Sequence, residues 1–237
     1  MKRIVKKLVY PGLIFIICNS VILSAEENLY VFYPSTYRPQ IIQDKLQNEM
    51  KGIRVTVFGR YVDFISKVQS DSPDAVITKT RLIEKQLLNY SVIKNGVRSG
   101  TKKESFILLS IDSSINTGSI NQKSTIGVID FFGRSETGNF VADLLSGKPK
   151  IKRVNKIEDL LPLLSFNLVC CILIEKTNLD YFQNTSTIKF SITPLKFSDE
   201  GIIALAQKKG ISIQKINNFT KQSRDLIKSF FHVDKFE

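Results

Sequence analysis

Ser135-Glu136-Thr137-Gly138-Asn139 is the stretch of this chain best equipped for chemistry. It sets two hydroxyls and a glycine beside the free amides of a helix start, a combination that holds a carboxylate, phosphate or phosphonate. An ordinary helix cap uses the same residue types. Similar groups recur wherever an apolar run ends. Tyr33 is followed by Pro34-Ser35-Thr36-Tyr37-Arg38, residues 53–58 by Gly59-Arg60-Tyr61, residues 74–78 by Lys79-Thr80, and residues 168–174 by Glu175-Lys176-Thr177. Tyr33, Ser35, Thr36, Arg60, Thr78, Arg134, Ser135, Thr137 and Gly138 are therefore the candidate ligand-binding residues. Arg38, Lys79 and Lys176 share that placement, and each also reads as a solvated surface charge.

Catalytic signals are weak. The single histidine, His232, lies near the C-terminus, which leaves Ser-His and Cys-His catalysis without a placed base and excludes a His-rich metal site. There is no Gly-rich phosphate loop, zinc spacing or dinucleotide fingerprint. The reading is a protein that binds rather than catalyses, with no cofactor and no metal. Cys170 and Cys171 adjoin in an apolar run and read as small buried side chains on opposite faces of a strand, so no structural disulfide is expected.

These groups sit where they do because strand-like and helix-like segments alternate. Strands are expected at 29–33, 53–58 and 74–78, each followed by an amphipathic helix, at 38–50, 61–69 and 81–88. Strand-like runs follow at 90–94 and 105–111, then a polar connector at 112–124. The rhythm restarts with a strand at 125–132, a tight polar loop at 133–138 and a short helix at 139–145. Further strands are expected at 151–154, 168–174 and 188–195, with helices at 156–164, 177–182, 199–208 and 220–231. Strand and helix alternation with short connections argues for parallel sheets, and in such sheets ligands bind beyond the carboxyl ends of the strands.

The first 25 residues set the compartment. Lys2, Arg3, Lys6 and Lys7 precede an apolar run at 8–23, and Ser24-Ala25 precedes Glu26-Glu27, the order of a secretory signal peptide cleaved after Ala25. Pro11 and Cys18-Asn19-Ser20 interrupt that run, which makes it a poor spanning helix. Four of the 34 Lys and Arg lie in this leader and all 22 Asp and Glu lie after it, so the remaining chain carries a net charge of about +8. A basic exported protein suits anionic solutes or lipid, and nucleic acid is not an expected partner.

With those residues in place, the chain resembles the periplasmic solute-binding proteins of type II topology, in their phosphonate, phosphate and sulfonate-like branch. The resemblance is carried by residues 29–33 with Pro34-Ser35-Thr36, by Pro73-Asp74-Ala75-Val76-Ile77, by Thr125-Ile126-Gly127-Val128-Ile129 with Ser135-Glu136-Thr137-Gly138, and by residues 201–209. It implies an α/β fold of two lobes with a central cleft. Residues 26–112 plus 196–237 would form lobe 1, and residues 113–195 lobe 2. Ser35, Thr36 and Thr78 would line one side of the cleft, and Ser135, Thr137 and Gly138 the other. It implies a monomer that closes over a small anionic solute and delivers it to an ABC-type permease. The alternative is a ligand-sensing or accessory protein acting on a membrane signalling partner.

Overall fold

The computed structural model describes residues 26–145, 147–195 and 200–237, without the side chains of 221 and 222. The expected signal peptide, residues 1–25, lies outside the described residues.

The chain opens as three strand–helix units: β1 (Glu27–Phe32) and α1 (Pro39–Glu49), β2 (Ile53–Phe58) and α2 (Tyr61–Asp71), β3 (Ala75–Thr78) and α3 (Thr80–Gln86). Pro39 opens α1, where its missing N–H is no loss, and the helix buries Ile42 and Leu46. Along β1, Leu29 and Val31 pack into one core and Phe32 into another, so both faces of the strand are covered. Then come β4 (Tyr90–Val97) and β5 (Phe106–Ile111), followed by β6 (Thr125–Ile129), α4 (Gly133–Leu145), β7 (Lys150–Val154), α5 (Leu160–Ser165), β8 (Cys171–Glu175), α6 (Leu179–Thr185) and β9 (Phe190–Pro194). The chain ends with β10 (Ala204–Lys208), α7 (Gln214–Gln222), α8 (Arg224–Phe231) and β11 (Lys235–Phe236).

These strands form two sheets, ordered β11-β4-β10-β3-β1-β2 and β7-β6-β8-β5-β9. Each sheet has the same plan. Three parallel strands are followed by one antiparallel strand, β10 beside β3 in the first and β5 beside β8 in the second. Both antiparallel strands are exchanged: β5 precedes the rest of its sheet in sequence, and β10 returns to the first sheet after the second is complete. The chain therefore crosses twice between sheets, and the crossings pair with each other. Lys103 bridges Gly201, Glu104 N donates to Glu200 O at 2.8 Å, and Ile202 N donates to Lys102 O at 3.0 Å.

Several expectations are corrected. β5 lies within the range expected for the first lobe, yet it hydrogen-bonds in the second sheet. The crossing thus falls at 98–105 and not in the polar stretch 112–124. The helix expected at 199–208 is the strand β10, held between β3 and β4, with Asp199 outside the described residues. The loop expected at 133–138 is the first part of α4. The helix expected at 220–231 is two helices, α7 and α8, that meet at Ser223. Cys171 is buried as expected, but Cys170 is exposed because it precedes β8.

Candidate functional site

The carboxyl ends of the parallel strands of the two sheets face each other, and two residues at matching positions meet there. Lys79 follows β3, Glu175 ends β8, and each strand is third in its parallel set. Lys79 Nζ lies 2.6 Å from Glu175 Oε1 and 3.3 Å from Glu104 Oε2 on the crossing segment. The other Glu175 oxygen accepts from Tyr33 Oη at 2.8 Å. The second Glu104 oxygen lies 2.7 Å from Arg98 Nη1, and Arg98 Nε donates to the His232 carbonyl. Lys79, Glu104 and Glu175 are each no more than 1% exposed.

Burial governs the protonation of this chain of charges. It works against the Lys79 ammonium, but the carboxylates of Glu175 and Glu104 outweigh it and hold the group above the usual lysine range. Glu175 goes the other way. Burial, reinforced by the like charge of Glu104, raises its carboxyl despite Lys79. Glu104, with two cations against it, falls below the ordinary range although burial opposes this. Burial and then Glu175 push the Tyr33 phenol well up, so it stays a donor.

A second bridge lies alongside. Arg81 on α3 reaches Glu136 and Asp143 on α4, with Nη2 to Asp143 Oδ2 at 2.9 Å, and its Nη1 lies 3.6 Å from Glu200 on the other crossing segment. Gln86 Nε2 donates to the Phe132 carbonyl at 2.6 Å. The ring of Tyr61 sits against Gly133: a Cβ there would lie 2.6 Å from Tyr61 Cε1, and φ is +77°, so only glycine fits without strain.

These contacts split the space between the lobes into two openings. The first is a cavity of about 460 Å³ lined by the turns after β1 and β2, including Ser35, Thr36, Arg38 and Arg60, and by Asn155, Lys156 and Glu158 after β7. The second, about 470 Å³ and more open, is lined by Tyr61, Lys85 and Gln86 on one side and by 132–136 on the other.

The sequence-selected residues distribute unevenly over this geometry. Tyr33, Ser35, Thr36 and Arg60 line the first cavity. The Arg60 guanidinium there is held by Asp63 through two bonds of 2.6 and 2.9 Å. Arg134 and Ser135 line the second opening. Thr78 is buried with its hydroxyl unpartnered among the described residues. Thr137 and Gly138 line neither opening. Thr137 is buried, and its Oγ1 donates to Asp130 Oδ1 at 3.1 Å, while Gly133 N donates to the same oxygen at 2.9 Å. The start of α4 thus holds an anion of the chain's own, the Asp130 carboxylate, which also pairs with Arg153.

Sequence reasoning placed Arg38 and Lys79 at strand ends, where each also read as a surface charge, and it singled out neither Glu104 nor Lys156. The strand-end rule already pointed at Lys79 and Glu175. What had no local signal was that the two ends meet.

No family model matches the chain, and no curated protein sequence matches it. Among solved structures it is similar to an ancestral arginine-binding protein bound to glutamine, at 17% identity and TM-score 0.56, over 86% of this chain and 97% of that one. It is similar to the putative binding component of an ABC transporter from Wolinella succinogenes complexed with lysine, at 12% identity and TM-score 0.60, over 88% of this chain and 97% of that one. It is also similar to the periplasmic VFT2 domain of Bordetella pertussis BvgS, at 12% identity and TM-score 0.56, over 87% and 92%. At these identities the likeness concerns architecture, and the architecture is the two-lobed α/β fold of the solute-binding proteins.

Proposed function

We propose that the protein is an exported binding protein that takes a small anionic solute between its lobes. The observation that carries this reading is the cavity of about 460 Å³ formed jointly by strand-end turns of both lobes. That volume suits a small molecule. Arg38 and Lys156 face the cavity from opposite lobes, and neither forms an ion pair among the described residues. Ser35, Thr36 and Tyr37 add hydroxyls. Lobe closure about the paired crossing segments would bring the two cations onto one solute. An oxyanion such as a phosphonate, phosphate or sulfonate is the finer form of this reading. The glutamine, arginine and lysine bound in the similar structures make amino acids the competing class, with delivery to a permease as the corresponding role.

Thermal unfolding against a panel of phosphate, phosphonates, sulfonates, dicarboxylates and amino acids tests it. A solute that binds only the folded state raises the melting temperature with its concentration. The shift should vanish in the double variant Arg38→Ala, Lys156→Ala. A solute whose shift survives that variant would place binding elsewhere, and a panel with no shift at all removes the receptor reading.

A second reading has its own support. The buried Lys79–Glu175 pair joins the lobes through the chain's own side chains, which suits a sensor or accessory module whose closed form is what a membrane partner recognises. In that case the panel gives no shift, and a membrane signalling protein is recovered with the full-length chain.

A further inference from the structure

We infer that the centre of the gap between the lobes is a recognition site for a primary alkylammonium group, and that this chain fills the site with its own Lys79. Around Nζ stand two carboxylates, Glu175 at 2.6 Å and Glu104 at 3.3 Å. Two aromatic rings complete the enclosure, Tyr33 with its centroid at 5.2 Å and Phe131 at 5.5 Å. Carboxylates and ring faces around one ammonium are the groups that recognise a cation in a dry pocket.

The origin of these groups argues for a ligand site over a simple structural ion pair. Tyr33 belongs to one lobe, Phe131 and Glu175 to the other, and Glu104 to the segment that crosses between them. A cation at this point touches every part that moves when two lobes open. Burying such a cluster gains little stability over an apolar filling, so stability alone does not account for it.

Lys79 reaches the site from the end of β3. Because it is tethered, it competes with free amines at an effective concentration on the order of millimolar or higher. The intact chain therefore excludes soluble amines from its centre. Nothing in this depends on which solute enters the 460 Å³ cavity, which has separate walls beyond Tyr33.

The test is replacement of the tethered group by a free one. Lys79→Ala removes the side chain beyond Cβ, and n-propylammonium has the missing three carbons and nitrogen. Its melting temperature should rise saturably with n-propylammonium chloride, and not with sodium chloride or n-propanol at equal concentration. The unaltered protein should show no such rise, and adding Glu175→Gln to the variant should abolish it. Equal responses of variant and unaltered protein, or an equal response to n-propanol, overturn the proposal. If Lys79→Ala does not fold alone, the readout becomes recovery of folded protein on dilution from urea. Greater recovery in n-propylammonium chloride than in sodium chloride supports the site, and equal recovery overturns it. The solute panel on the unaltered chain is read separately, so either idea can fail without the other.

Discussion

Lys79 and Glu175 stand 96 positions apart in the chain and 2.6 Å apart in space, each at the end of the third parallel strand of its own sheet. Breaking a buried pair by removing one member strands the other, at a cost of roughly 3–5 kcal/mol. Lys79→Met and Glu175→Leu should each destabilise the protein by that order in urea unfolding. The double variant should lose clearly less than the two losses combined. The Lys79→Met deficit should also shrink as the pH is lowered, because a protonated Glu175 is cheaper to bury than a stranded carboxylate. Additive losses at neutral pH would mean that the two residues act separately.

His232 offers a cleaner pH test, since the chain has one histidine. Burial, then the nearby Arg98 guanidinium, holds its imidazole below the ordinary value. The folded state therefore favours the neutral ring. Its contribution is fully present above the unfolded value of about 6.5 and is lost as the pH falls through the folded one. His232 also ends α8 with φ +52°, a conformation that asparagine tolerates. His232→Asn should flatten the fall in melting temperature between neutral and mildly acid pH. An unchanged slope would assign that acid sensitivity to the carboxylates.

Much of the fold is legible in the sequence, for a local reason. β1, β2 and β3 are short apolar runs that end in turn residues and lead straight into amphipathic helices, so each unit announces itself within about twenty residues. β10 does not. Ala204, Leu205 and Ala206 favour a helix on their own, and they form a strand because β3 and β4 pair with their backbone on both sides and both faces are buried. α4 misleads in the opposite direction. Gly133, Ser135 and Gly138 look like a loop, but Asp130 accepts from Gly133 N and Thr137 Oγ1 and so starts the helix early.

The candidate site follows the same division. Strand ends name the right neighbourhood, and Tyr33, Ser35, Thr36 and Arg60 fall together on one cavity. A lysine after a strand looks the same in sequence whether it points into water or across a gap. Only the exchange of β5 and β10 between sheets brings Glu104 and Glu175 to Lys79, and exchange of that kind has no local signature.

Gly133 tests how closely the lobes must approach. An added methyl would meet the Tyr61 ring at 2.6 Å and would sit on a backbone that is already left-handed, at a cost of about 1–2 kcal/mol. Gly133→Ala should therefore loosen the lobes, seen as a larger radius of gyration in solution scattering, and lower stability. Adding Tyr61→Ala should restore the compact form while leaving the backbone penalty in place. Failure of the second change to restore compactness would show that the ring is not what separates the lobes.

Cys170 makes the last prediction, and it arises from position. Its backbone N donates to the Thr125 carbonyl at 2.9 Å, which fixes the residue at the exposed entrance to β8, with its sulfur 3.7 Å from Cys171 Sγ. The hydrogen bond from the Cys171 thiol favours the Cys170 thiolate against a smaller opposing effect of burial, lowering its value to about 6. The Cys171 thiol is pushed up by that same bond and by burial. Alkylation by iodoacetamide should therefore label Cys170 in preference to Cys171, with a rate that rises through a midpoint near 6 instead of the usual value of about 8.5. Cys171→Ala removes the donor and should move that midpoint upward while leaving Cys170 accessible. A midpoint already near 8.5 in the unaltered protein would mean that the two sulfurs are not hydrogen-bonded in solution.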